Sequence, residues 1–135
     1  MQTKTQEILL DTNFIIITTK QKIQLVEQLK QLFGVYTLFV PEQVLEELNK
    51  ISNDRNLKVA DRTSAKLSLQ ILKLLKPKII DLKKVDADAG IIQYSKDKSE
   101  LIIATLDRIL KQKIKQKNSK IKFLTIKQKT RIAIQ

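Results

Sequence analysis

The apolar and polar residues of the chain are spaced in two ways, which predict short buried strands and amphipathic helices. "VYTLFVP" and "ELIIATL" are compact apolar runs rich in branched or aromatic residues, as strands are. "KQKIQLVEQLKQLFG" instead places its apolar residues three and four positions apart, which indicates one face of a helix. In chain order, the patterns predict a strand at 7–10, a helix at 20–34, a strand at 35–41, helices at 41–51 and 58–75, a strand at 76–82, a helix at 86–97, a strand at 100–106, a helix at 107–117 and a final strand at 121–127.

Strands and helices alternate along most of the chain, and this order is typical of a parallel sheet with helices on both faces. We therefore predict an α/β fold, a three-layer α/β/α sandwich around a central, mainly parallel sheet. The length of 135 residues fits a single domain with a substantial core. We expect this domain to span 1–135 and to include the basic segment 108–135.

The segment "LLDTNFII" (9–16) interrupts an apolar run with three polar residues, Asp11, Thr12 and Asn13. Two explanations are open at this stage. The polar residues form a turn that begins a helix, because Asp is a favoured N-cap residue. Alternatively, the strand delivers the Asp11 carboxylate to a site at its carboxyl end, where open α/β sheets bind their ligands.

Acidic residues also follow the other three predicted strands before 107. Because the carboxyl ends of parallel strands share one edge of the sheet, we expect carboxylates from four segments to meet there. Each Asp alone is equally explained as a helix cap, and either Glu as plain surface. Capping and metal binding are compatible, since one carboxylate oxygen can serve each purpose. The acidic candidates are Asp11, Glu46, Glu47, Asp86, Asp88 and Asp107.

His and Cys are both absent, which restricts the chemistry of any active site. Serine–histidine catalysis, thiol nucleophiles, disulfides and zinc ribbons are excluded. Carboxylates without softer ligands favour hard cations such as Mg²⁺ or Mn²⁺. A pair of such ions can hydrolyse a phosphodiester bond without any histidine.

The charge is strongly positive and is concentrated near the end of the chain. The formal net charge is +12, and ten of the 26 basic residues but none of the 14 acidic residues lie in 108–135. Such a cluster is the electrostatic footprint of a protein that binds nucleic acid. The alternative is a solvated helix face in a lysine-rich protein.

The apolar stretches are short, and none resembles a membrane segment. They reach only about 4–6 residues without a charge, whereas a membrane span needs about 20. The start of the chain, "MQTKTQEILL", lacks the apolar core of a signal peptide. We therefore expect no membrane association and a cytoplasmic location.

Four segments resemble the acidic motifs of the PIN-domain ribonucleases, in the same order and with similar spacing. They are "LLDTNFII", "VPEQVLEELNK", "DADAGII" and "IIATLDRIL", and the resemblance runs from Glu7 to the end of the chain. The chain is most similar to the small stand-alone archaeal type, whose relatives include VapC-type toxins and the PIN nucleases of ribosomal RNA processing. The ending "KIKFLTIKQKTRIAI" resembles the second group.

The resemblance implies a metal-dependent endoribonuclease with one or two Mg²⁺ or Mn²⁺ ions. The residues that match its catalytic metal ligands are Asp11, Glu47, Asp88 and Asp107, and those that match its supporting residues are Asn13 and Thr105. Glu47 is preferred over Glu46 because a Leu follows it, as in the family, and Asp86 is the alternative to Asp88. Clustered carboxylates repel one another, so we expect divalent ions to stabilise the fold.

The resemblance also implies RNA as the substrate, with ribosomal RNA as one candidate. The residues expected to hold its phosphates are Arg108, Lys111, Lys115, Lys127, Lys129 and Arg131. The implied protein partners are a second copy of the chain, although no segment marks an interface, and either an acidic antitoxin or ribosome-assembly proteins. Two alternatives stay open: a non-catalytic RNA-binding or ribosome-assembly module with the same fold, and a structural domain that binds no RNA.

Overall fold

The computed structural model describes residues 5–84 and 86–135, so the predicted domain 1–135 includes residues 1–4 and 85, which lie outside the described part. The strands are β1 (Gln6–Leu10), β2 (Tyr36–Pro41), β3 (Lys78–Ile80), β4 (Ile102–Ala104), β5 (Lys122–Lys127) and β6 (Arg131–Ile134). The helices are α1 (Thr12–Lys20), α2 (Leu25–Phe33), α3 (Glu42–Asn53), α4 (Val59–Leu75), α5 (Ala87–Ser95) and α6 (Arg108–Lys117). None of these helices is long and apolar enough to cross a membrane.

One sheet contains all of these strands, in the order β3-β2-β1-β4-β5-β6. In β1, near the centre, Ile8 is level with Leu38 of β2 on one side and with Ile102 of β4 on the other. The pairs from β3 to β5 are parallel, and β6 runs antiparallel to β5. The carboxyl ends of β1 to β5 therefore lie at one edge of the sheet, which we call the carboxyl edge.

Side chains alternate across β1 and divide the core between the two faces of the sheet. Ile8 and Leu10 belong to a buried cluster that also contains residues of α1, α2, α3 and α4. Leu9 belongs to a second cluster, which includes Ile91 of α5 and Ile114 of α6. Helices thus cover both faces, and the predicted three-layer α/β/α sandwich with a mainly parallel sheet is confirmed.

Helix α1 has no counterpart among the elements predicted from apolar spacing, and the helix predicted at 20–34 is found as α2 but begins only at Leu25. α1 follows directly on its N-cap residue, Asp11, and α2 begins only after a turn in which Lys22 has a φ of 57°. α1 is rich in Ile and Thr, which favour strands, so residue preferences alone do not indicate a helix there. Burial of Phe14 and Ile15 in the core overrides that preference.

The prediction that 121–127 is the final strand is also wrong, because β6 follows it. β6 pairs with β5 so that Lys127 is level with Arg131. "RIAI" is only four residues long, and the turn before it lacks the Gly, Asn or Asp that normally marks a hairpin. β6 adds an edge strand and places a hairpin turn at the carboxyl edge. The other predicted elements are found within a few residues of their expected bounds.

Candidate active site

Asp11 is the buried centre of the candidate site, with only 6% of its surface exposed. Its backbone N–H donates to the Ala104 carbonyl at 3.0 Å, which joins the ends of β1 and β4. Oδ1 accepts a hydrogen bond from the Thr12 N–H at 2.8 Å, and Oδ2 accepts one from the Thr105 hydroxyl at 2.8 Å. Asp11 therefore caps α1 and also holds a fixed carboxylate at the carboxyl edge, so the two explanations of "LLDTNFII" are compatible.

Thr105 connects Asp11 to the start of α6. Its hydroxyl donates its one hydrogen to Asp11 and accepts from the Asp107 N–H at 3.3 Å. Asn13 lies beside it, and the Asn13 Oδ1 accepts from the Leu106 N–H at 3.1 Å. These bonds cross between the β1–α1 and β4–α6 connections. Of the two predicted supporting residues, Thr105 thus contacts both Asp11 and Asp107, and Asn13 contacts Thr105 and Leu106.

Glu47 reaches the same edge from α3. Its Oε2 accepts from the Thr12 hydroxyl at 3.0 Å, although Glu47 itself is exposed. Glu46 makes no side-chain hydrogen bond or ion pair within the described residues. The geometry therefore favours Glu47 over Glu46 as the acid at this edge.

Thr12 has a contact that its place in the sequence does not reveal. The pattern explains Thr12 as a turn residue, whereas the structure buries it and bonds its hydroxyl to Glu47, 35 residues away. The only signal for this contact is a polar residue at a helix position that faces the core. Side-chain direction across such a separation does not follow from spacing.

The helices after β3 and β4 begin with acidic caps. Asp107 Oδ1 accepts from the N–H groups of Ile109 and Leu110 at 3.0 and 3.1 Å. Asp86 Oδ1 accepts from the Asp88 N–H at 3.1 Å, so Asp86, not Asp88, is the N-cap of α5. Asp88 lies in the first turn of α5 and is exposed. This arrangement leaves the Asp88 carboxylate available to a ligand.

The pKa of Asp11 is raised above the ordinary carboxyl value, chiefly because Asp11 is buried. The hydrogen bonds from Thr105 and from the Thr12 N–H oppose this increase. The negative charges of Asp88 and Glu47 add to it, in agreement with the bond from Thr12 that holds Glu47 at this edge.

The pKa of Asp88 is also raised, first by partial burial and then by the charges of Asp107, Asp86 and Glu47. Lys113 acts in the opposite direction. Among the described residues, no Lys or Arg forms an ion pair with any of the acids at the carboxyl edge. Acids from four segments of the chain therefore repel one another at this edge, and no ion pair among the described residues offsets that repulsion.

The donor set at this edge consists of carboxylate oxygens, which suit a hard divalent cation. In the positions that the described side chains adopt, no three acids lie close enough together to hold one ion. A shared ion therefore requires other rotamers, and the exposed side chains of Glu47 and Asp88 have the freedom to adopt them. Asp11 is held in place by two hydrogen bonds. By chemistry and charge, the residues fit a divalent ion with one fixed ligand and movable ones.

Four of the six predicted RNA-binding residues lie at the carboxyl edge. Arg108 is the first residue of α6, directly after Asp107. Lys127, Lys129 and Arg131 surround the hairpin turn between β5 and β6. All four basic side chains are exposed, so positive charge adjoins the acids on this side of the molecule.

The other two, Lys111 and Lys115, line an open groove of about 700 Å³ on α6, together with Phe123 and Gln135. The Lys111 Nζ donates to the Gln135 side chain at 2.8 Å, and the Lys115 Nζ donates to the Ser119 carbonyl at 3.1 Å. Their Nζ atoms lie 5.7 and 5.8 Å from the centre of the Phe123 ring. The structure therefore separates these two lysines, which have partners within the protein, from the four basic residues at the carboxyl edge.

Comparison with known proteins places these features in a family. The family model described as "PIN like domain" matches residues 8–129. Ribonuclease VapC4 of Methanocaldococcus jannaschii is 29% identical over 124 residues, which cover 91% of this chain and 92% of that protein. Among solved structures, the PIN domain endonuclease Utp24 matches with a TM-score of 0.76 and 26% identity, over 96% of this chain and 90% of that chain. The resemblance carried by the four acidic motifs is thereby confirmed.

Proposed function

The chain belongs to the PIN-like domain family, and from this premise we propose that it is a metal-dependent endoribonuclease that hydrolyses RNA phosphodiester bonds. The two relatives support the nuclease activity, since one is named a ribonuclease and the other an endonuclease. The observation that carries the proposal is the position of three acids at the carboxyl edge, where Thr12 bonds to Glu47 and Thr105 bonds to both Asp11 and Asp107.

We assign catalysis and metal binding to Asp11, Glu47, Asp88 and Asp107. When bound, one or two Mg²⁺ or Mn²⁺ ions supply a water of lowered pKa and stabilise charge on the phosphate and the leaving oxygen. Asp11 is the anchoring ligand, because its two hydrogen bonds fix its orientation. Asp86 holds the first turn of α5 by capping it, which leaves Asp88 free to act as a ligand.

Thr105 and Asn13 are positioning residues in this proposal. Thr105 orients the Asp11 carboxylate and at the same time holds the backbone of Asp107. Asn13 fixes the Leu106 N–H and so the path of the chain between β4 and α6. Hydrogen bonds of this kind set the direction of a ligand and raise its affinity for a metal.

RNA is the substrate we propose, with the basic residues at the carboxyl edge holding phosphates beside the acids. Two cellular roles stay open: a VapC-like ribonuclease with an acidic antitoxin, and a ribosomal RNA-processing nuclease with ribosome-assembly partners. The high net charge of +12 favours the second role. We expect the protein to act in the cytoplasm, and a homodimer is the assembly that the sequence resemblance implies.

Cleavage of a labelled single-stranded RNA pool with Mn²⁺, with Mg²⁺ and with EDTA tests the proposal. We expect metal-dependent cleavage by the wild type and none by Asp11→Asn. Asn still accepts the Thr12 N–H, so this change separates metal binding from capping. Asp97→Asn removes an exposed acid after α5 and is the matched control, which should cleave like the wild type. Salt-sensitive RNA binding by a wild type that cleaves nothing would instead support the non-catalytic module.

A further inference from the structure

The hairpin turn between β5 and β6 has an unusual backbone. The Lys127 carbonyl accepts from the Thr130 N–H at 3.2 Å, and the two residues between them, Gln128 and Lys129, have φ values of 56° and 57°. This is the arrangement of a type I′ turn, in which Gly, Asn or Asp normally fill the central positions. Gln and Lys disfavour the left-handed conformation because of their Cβ atoms, so the turn needs support from elsewhere.

Gln28 of α2 supplies that support. Its Nε2 donates to the Thr130 carbonyl at 3.0 Å, and its Oε1 accepts from the Ile132 N–H at 2.7 Å. One amide side chain thus satisfies a backbone acceptor and a backbone donor at the start of β6, as a neighbouring strand would. Gln28 therefore ties the turn to the helices on that face of the sheet.

The turn lies beside the acids. β5 is the neighbour of β4, and Leu124 is level with Ala104, the last residue of β4. β5 continues to Lys127, and at about 3.3 Å per residue the turn projects roughly 10 Å past the end of β4. Asp11 and Asp107 follow the ends of β1 and β4 on this same edge. Basic and acidic groups are therefore adjacent.

The turn carries three exposed cations, Lys127, Lys129 and Arg131. The sequence has no acidic residue between 108 and 135, and none of the three cations forms an ion pair within the described part of the chain. Cations held at fixed positions beside a group of carboxylates suit a polyanion, since contacts to phosphates set the register of a nucleic-acid strand.

We propose that the segment Lys127–Arg131 is an arm that holds the RNA backbone next to the acids, and that Gln28 is the positioning residue that keeps the arm in its left-handed conformation. The proposal takes its ligand, RNA, from the proposed function. It depends neither on metal binding nor on cleavage, so it can be tested in the absence of both.

RNA affinity measured in EDTA over a range of salt concentrations is the test, with a short labelled single-stranded RNA of mixed sequence as the probe. Each phosphate contact adds about 0.7 to the slope of log affinity against log salt for single strands, and we expect Lys129→Ala to reduce the slope by about that amount. Gln28→Leu should reduce the slope too, although it removes no charge. Lys96→Ala, at the far end of α5 from Asp88, is the matched charge control and should keep the wild-type slope.

Melting temperatures in EDTA show which variants fold. If Gln28→Leu does not fold, Lys129→Ala and Arg131→Ala carry the test, because both change exposed residues. A wild-type slope in these two variants, or in a folded Gln28→Leu, overturns the proposal. Reduced slopes in a protein that cleaves no RNA would support the arm and refute the nuclease. Metal-dependent cleavage with unchanged slopes would support the nuclease and refute the arm.

Discussion

Asp11 and Asp88 are carboxylates at the same edge of the sheet, but the structure holds them in different ways. Asp11 is buried and accepts hydrogen bonds on both oxygens, from Thr105 and from the Thr12 N–H. Asp88 is exposed on α5, whose cap is Asp86. In the proposed metal site, one ligand is therefore built into the fold, while the other is free to adjust. A ligand that hydrogen bonds hold in one direction fixes where an ion would bind.

The largest expected effect is the loss of RNA cleavage when either acid is replaced. The two variants should differ in how they respond to added Mn²⁺, which sharpens the comparison. Asp11→Asn and Asp88→Asn should each lower RNA cleavage by more than about 100-fold, since the loss of outer hydrogen bonds alone reaches roughly 10–100-fold. Added Mn²⁺ should restore part of the activity of Asp88→Asn, because the fixed Asp11 still anchors the ion. It should restore none in Asp11→Asn. Cleavage rates over a Mn²⁺ titration measure both responses.

Asp86→Asn is the control for the position on α5. Asn caps a helix as well as Asp does, so this variant should keep most of its activity. A loss of more than about 100-fold in Asp86→Asn, with Asp88→Asn nearly active, would assign the ligand to Asp86 and would break the comparison.

A smaller effect on cleavage is expected when Asp11 keeps its charge but loses the hydrogen bond from Thr105. Thr105→Val preserves the shape of the side chain and removes the bonds to Asp11 and from the Asp107 N–H. We expect cleavage to fall about 10–100-fold. The free energy of unfolding should fall by about 1–3 kcal/mol, because buried polar groups lose their partner. Thr37→Val, in β2, is the control. Normal cleavage with reduced stability would make Thr105 a purely structural residue.

The position of Asp88 depends on the close packing of its helix, α5, against Leu82 in the preceding segment. A Cβ at Gly90 would lie 2.7 Å from the Leu82 Cβ, which is too close for either atom to stay in place. Gly90→Ala should therefore displace α5 and destabilise the fold by about 1–3 kcal/mol, as overpacking does. We expect its cleavage to need more Mn²⁺, as in Asp88→Asn. Urea unfolding and a Mn²⁺ titration check this, with the exposed Ala89→Ser as control. An unchanged Mn²⁺ requirement would mean that Asp88 tolerates the shift.

The same contrast between fixed and adjustable parts explains what could be predicted from the sequence. The helices at 41–51 and 58–75 and the strand at 100–106 could be predicted because their apolar spacing agrees with their burial. The shared edge of the acids follows from parallel topology alone. α1 could be anticipated only as one of two explanations of Asp11, because tertiary packing makes a helix of a sequence that favours a strand. β6 could not be predicted, since Gln28 supports a turn that no local signal marks.

Side-chain contacts within the candidate site are harder still to predict from the sequence pattern. The bond between Thr12 and Glu47 joins residues that are 35 positions apart and depends on the direction of two side chains. The choice between Asp86 and Asp88 depends on which carboxylate caps α5. Spacing places both acids near the edge, but only the hydrogen bonds show which of the two caps α5.

The smallest expected effect is on the stability of the metal-free protein, and it tests the burial of Asp11 directly. Burial raises the pKa of Asp11 in the folded state, so the folded protein holds this proton more readily than the unfolded chain. The contribution of Asp11 to the free energy of unfolding is therefore greatest at low pH, and it is lost as the pH rises through the pKa of the folded state. In EDTA at neutral pH, Asp11→Asn should melt a few degrees above the wild type. The difference should shrink as the pH falls into the carboxyl range.

Asp61→Asn is the control of opposite sign, because the bond from Lys20 lowers the pKa of Asp61. It should melt no higher than the wild type at neutral pH. Saturating Mn²⁺ should raise the melting temperature of the wild type but not that of Asp11→Asn, because an ion that binds only the folded state stabilises it. If Asp11→Asn melts below the wild type in EDTA at neutral pH, the hydrogen bonds from Thr105 and Thr12 outweigh burial and repulsion. Asp11 would then stabilise the fold as a helix cap. Its difference from Asp88 would reflect folding and not metal binding.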